Sequence, residues 1–80
     1  MNKEDLIKLI KKSLMFKGKI DEKSTQNNVE PWDSLGHLSI ITALDKVSKG
    51  KTSKIKALAD ADSVKKIFEI LKKNKVLKVK

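Results

Sequence analysis

A chain of 80 residues has room for one domain with a small core, and the absence of cysteine excludes disulfides and thiolate metal sites. There is one histidine, and no carboxylate cluster is convincing, so no metal site is expected. The formal net charge of +9 comes from 19 lysines without a single arginine, which permits salt-sensitive attraction to polyanions but withholds the bidentate fork that reads base edges and phosphates.

In chain order, Asn2 can cap a first helix, with Glu4 and Asp5 in the turn that the helix dipole makes favourable for acids. Leu6, Ile7, Ile10 and Leu14 recur at helical spacing among lysines, predicting a helix over 3–16 with Gly18 as its stop. The next stretch, KGKIDEKSTQNNVEPWD, is polar and has no sustained period. Loops this long inside small domains are often functional or wrap the core. Ile20, Val29 and Trp32 are the residues able to pin it, and Pro31 disfavours helix at Glu30.

Asp33 and Ser34 are both good N-caps for a second helix over 34–48. Leu35, Leu38, Ile41, Leu44 and Val47, broadened by Ile40, form its expected buried stripe. SKGKTSK is a turn centred on Gly50. Ser53 then caps a short third helix that turns Ile55, Leu58 and Ala59 inward. A last helix starts at Asp62 or Ser63, carries the face Val64, Ile67, Phe68 and Leu71, and ends at Asn74. The tail KVLKVK has no helical period, so the ends (1–2 and 75–80) are expected to fray.

Three longer helices, one short third helix and a long first loop predict a single all-α domain over 1–80, a small four-helix bundle. No run approaches the roughly 20 apolar residues of a membrane span, and the N-terminus lacks the unbroken apolar run of a signal peptide. A cytoplasmic protein is the expectation.

The segment Pro31-Trp32-Asp33-Ser34-Leu35-Gly36-His37-Leu38 resembles the signature of the acyl carrier protein family, in which Asp-Ser-Leu opens the second helix. The helix order, long first loop and short third helix are similar to that family over most of the chain. The resemblance implies that Ser34 carries a 4'-phosphopantetheine arm. It also implies that Asp33 assists the phosphopantetheinyl transferase with its coenzyme A. Leu35 would start the buried stripe and anchor the serine, and Gly36 would leave room beside the arm for a partner's backbone. Such a protein is not an enzyme. It carries acyl groups as thioesters for a fatty-acid, polyketide or related pathway, and an amino-acid cargo would use the same mechanism.

A phosphodiester at Ser34 would sit on a helix N-terminus, which favours negative charge. His37, Leu38 and Ile55 are the residues a docked partner would meet, with an ordinary exposed histidine the preferred reading of His37. A Ser34–His37 catalytic dyad lacks an orienting third group. Trp32 is expected to be a hydrophobic anchor.

The expected partners are the transferase, an acyl-loading ligase or transferase, and synthase enzymes, met by a monomer. The family is typically acidic on its second helix, whereas here Asp45 is that helix's only acid and Lys46 and Lys49 follow. Residues 24–45 contain no lysine and carry a local charge of −3. The partners are therefore expected to present acidic or mostly apolar surfaces, in a specialised pathway. A lysine-rich nucleic-acid-binding module is the competing class. It is opposed by the missing arginines, an aromatic content of 4%, and the dispersal of the lysines.

Overall fold

The computed structural model describes residues 2–75. Among these residues three α-helices and two short 3-10 helices form around one continuous apolar core, and there is no β-strand. α1 spans Lys3–Leu14 and begins with a capping box: Asp5 N donates to Asn2 Oδ1 at 2.8 Å, and Asn2 N donates to Asp5 Oδ2 at 3.2 Å. Asn2 is thus fastened rather than frayed. Leu6, Ile10 and Leu14 are buried, as their spacing predicts. The helix stops short of Gly18 because Met15 takes a left-handed conformation at φ 53 and its N–H turns back to Lys11 and Lys12 carbonyls.

The loop over 15–33 is tied down in two ways. Ile20, Val29 and Trp32 are buried in the core. An antiparallel bridge pairs Thr25 with Ser63, flanked by Gln26 N to Asp62 O at 2.8 Å and Val64 N to Ser24 O at 3.1 Å. The loop's own backbone is thereby hydrogen-bonded without forming a sheet.

α2 spans Ser34–Val47 and packs chiefly on α1, with α1's C-terminal end beside α2's N-terminal end. Its inward face differs from the predicted stripe. His37, Ile40 and Leu44 are buried, whereas Leu35, Leu38 and Val47 are 75%, 60% and 50% exposed. The cause is that apolar residues surround this helix on almost every side, so periodicity alone does not select the face that packs. A buried polar histidine further disguises that face.

After α2, Lys49 and Gly50 are successive left-handed residues at φ 57 and φ 88, so the turn centres on Gly50 as predicted. The expected short third helix is instead two 3-10 pieces, Thr52–Lys54 and Lys56–Asp60, interrupted by extended backbone at Ile55. Ser53 does not cap it. The Ser53 hydroxyl donates to the Gly50 carbonyl at 2.7 Å. The break at Ile55 changes which residues face inward: Thr52 and Leu58 are buried, Ile55 is half-buried, and Ala59 is exposed.

α3 spans Val64–Lys73, capped by Ser63, whose Oγ accepts from Lys66 N at 3.1 Å, and closed at Asn74. Val64, Ile67 and Leu71 are fully buried and Phe68 is half-buried beneath Lys3, whose Nζ stands 5.2 Å from the ring centre. Each fully buried aliphatic side chain of this kind contributes about 1.5–3 kcal/mol of transfer free energy. The expectation of fraying at 76–80 lies outside the described residues.

Candidate functional site

The site is the N-terminal tip of α2 and the loop that delivers it. Trp32 N donates to Val29 O at 2.9 Å, closing a turn that presents Asp33 in extended conformation (φ −97, ψ −165). Asp33 is the N-cap. Its Oδ1 accepts from Gly36 N at 2.8 Å, and its carbonyl accepts from His37 N at 2.8 Å. Ser34 is the first helical residue, and its side chain is exposed. The first-turn amides of a helix have no intrahelical carbonyl to bond. Asp33 takes that of Gly36, which leaves those of Ser34 and Leu35 at the positive end of the helix dipole.

Behind this exposed tip lies a buried polar relay. The indole Nε1–H of Trp32 donates to His37 Nδ1 at 3.0 Å, and His37 Nε2 lies 2.7 Å from the Leu58 carbonyl. An indole is only a donor and a carbonyl only an acceptor. The relay is therefore satisfied by the neutral ring with its proton on Nε2. The two rings are nearly parallel, at 16°, with centroids 6.2 Å apart. Loop, helix and 3-10 segment are thus locked together through His37, one turn along α2 from Ser34.

This arrangement corrects three expectations. His37 is neither a docking residue nor an exposed histidine: it is 8% exposed, and both ring nitrogens are engaged. It offers Ser34 neither a lone pair nor a proton, so no Ser34–His37 dyad is assembled. Leu35 does not begin a buried stripe, being 75% exposed, so Trp32 and His37 anchor the tip in its place. Gly36 does not clear space for a partner. A Cβ there would collide with the Pro31 carbonyl oxygen and lie 2.7 Å from Leu14 Cδ2, so this chain fills the space itself. Leu38 is exposed on α2, Ile55 is half-buried against the core, and Trp32 is the anchor it was expected to be.

The relay has a signal in the sequence that spacing of aliphatic residues does not reveal. With Asp33 as N-cap, Trp32 occupies the position before the cap and His37 the fourth helical position. Those are the two places joined by a hydrophobic staple. The Leu58 carbonyl has no such signal, because a backbone acceptor is supplied by the path of the chain.

Among the described residues no group of three or more His, Cys, Asp or Glu side chains could hold a metal ion, and no helix is long and apolar enough to cross a membrane. No protein family, curated protein or solved structure matches the chain.

Proposed function

We propose that the chain is an acyl carrier protein, bearing on Ser34 a 4'-phosphopantetheine arm that holds acyl groups as thioesters. One observation carries this reading: Ser34 is an exposed hydroxyl on the first residue of a helix, held on a packed platform by Asp33, Trp32 and His37. A phosphodiester there points into solvent. It also meets the amides of Ser34 and Leu35 and the positive end of α2. The residues present therefore suit the group, and the arm would supply the thiol that a cysteine-free chain lacks.

Asp33 Oδ1 caps the Gly36 amide rather than those of Ser34 and Leu35, so a phosphodiester on Ser34 would not have to displace it to reach them. In this reading the two 3-10 segments take the part of the short third helix of an acyl-carrier bundle. The protein would act as a monomer in the cytoplasm, where coenzyme A and a phosphopantetheinyl transferase meet it, and would pass its cargo between a loading ligase or transferase and a synthase. Docking makes each transfer effectively intramolecular. The chain itself performs no catalysis in this reading, and an aminoacyl cargo would use the same arm.

The test is incubation with coenzyme A and a promiscuous phosphopantetheinyl transferase, followed by intact-protein mass. The wild-type chain should gain one phosphopantetheine, and Ser34→Ala should gain nothing. An unchanged wild-type mass, under conditions that fully modify a control carrier, would overturn the proposal.

A further inference from the structure

The outer faces of α1 and α2 leave a groove between them that stops short of Ser34. Its floor is Leu9, Leu38, Ala43 and Val47. Three hydroxyls also line it, but each is turned back on its own helix. Ser13 Oγ donates to Leu9 O at 2.7 Å, Ser39 Oγ to Leu35 O at 3.2 Å, and Thr42 Oγ1 to Leu38 O at 2.8 Å. These residues therefore present mainly carbon to the groove. The rim is cationic: Lys8, Lys12 and Lys46 are exposed, and among the described residues none of them has a carboxylate within ion-pair distance. The acid that lines the groove, Asp5, is occupied by the N-terminal capping box of α1.

We propose that this groove docks an acidic amphipathic helix of a partner protein. An apolar floor between two helices accepts the i, i+3, i+4, i+7 face of a third, and the lysines on the rim complement carboxylates flanking that face. From Leu38 to Val47 the floor extends about 13.5 Å along α2, roughly two and a half turns of a guest helix. A second copy of this chain is a poor occupant, because it would bring the same lysines together on molecules that each carry +9. The proposal does not depend on what Ser34 carries.

The probe is a fluorescein-labelled synthetic peptide of about fifteen residues, with leucines at helical i, i+3, i+4, i+7 spacing and glutamates elsewhere, a length at which a guest helix can form. Its binding to Ser34→Ala protein is followed by anisotropy, with amide chemical shifts to locate it. Using Ser34→Ala separates the result from the fate of the carrier reading. The shifts should concentrate at Leu9, Leu38, Thr42, Ala43 and Val47. Lys8→Glu combined with Lys46→Glu should weaken binding at least about fivefold, as should raising salt from about 0.05 M to about 0.5 M.

Val47→Asp should weaken binding as well, and thermal melts should show each variant to be folded. A scrambled peptide of the same composition binding equally well would overturn the proposal. So would binding that is indifferent to all three substitutions, or no binding at all. Capture of the same face by phosphatidylglycerol vesicles without peptide binding, or a concentration-dependent dimer closing over it, would equally refute it.

Discussion

His37 makes two hydrogen bonds of opposite sense, accepting from Trp32 Nε1–H and donating to the Leu58 carbonyl, and it makes them out of water. Only a side chain with one donor and one acceptor at this separation can serve both partners. A leucine would fill much of the same volume and leave the indole N–H buried without a partner, at a cost of about 1–3 kcal/mol, while the Leu58 carbonyl would keep only its 3.3 Å bond from Ala61 N. His37→Leu should therefore lower stability by about 1–3 kcal/mol, a large share of what a domain of this size holds. Urea denaturation followed by Trp32 fluorescence measures it directly, since Trp32 is the only tryptophan. A loss under about 0.5 kcal/mol, the range of surface substitutions, would show that the relay contributes nothing.

At the scale of the element, α2 sets two adjacent residues in opposite circumstances. Leu35 is mostly in solvent, while Gly36 faces the Pro31 carbonyl and Leu14. Helix propensity favours alanine over glycine by about 1 kcal/mol. An isolated helix would therefore gain from Gly36→Ala. In this fold the added methyl meets rigid backbone, and overpacking of that kind costs about 1–3 kcal/mol. Gly36→Ala should be net destabilising, and Leu35→Gln should stay within about 0.5 kcal/mol of wild type. Thermal or urea unfolding of the pair decides it, and a stabilised Gly36→Ala would mean that loop and helix do not pack as described. The same close approach fixes where Ser34 projects, which links the packing of α2 to the proposed modification.

For the whole molecule, charge dominates. Among the described residues two ion pairs act on the carboxylates. Lys3 Nζ hydrogen-bonds Glu22 Oε2 at 2.7 Å, joining α1 to the loop, and Lys66 Nζ meets Asp62 Oδ1 at 3.0 Å at the start of α3. In each case the hydrogen bond from the lysine, reinforced by its charge, holds the carboxyl below its usual pKa. A carboxyl lowered by folding stabilises the native state above its unfolded pKa, and that contribution is lost as pH falls through the folded value. Protonating carboxylates also raises the net charge beyond +9, so self-repulsion acts in the same direction. The urea midpoint should hold near neutrality and fall below about pH 4, with salt moderating the fall. Glu22→Gln should flatten the fall. Both carboxylates are exposed, so the effect is small. A midpoint that rises on acidification would contradict this sign.

Helix starts, the core of α1 and α3, and the pinning of the loop by Ile20, Val29 and Trp32 are legible in the residues. Caps, left-handed turns and amphipathic spacing are local physics, acting over a few positions of the chain. The serine at the head of α2 is legible for the same reason. The orientation of α2, the division of the 52–60 segment at Ile55, the bond from His37 to the Leu58 carbonyl and the packing of Gly36 are not. Each depends on which atoms of distant segments, Leu14 and Leu58 above all, arrive beside them, and a helix apolar on most sides can be turned several ways until those neighbours are in place.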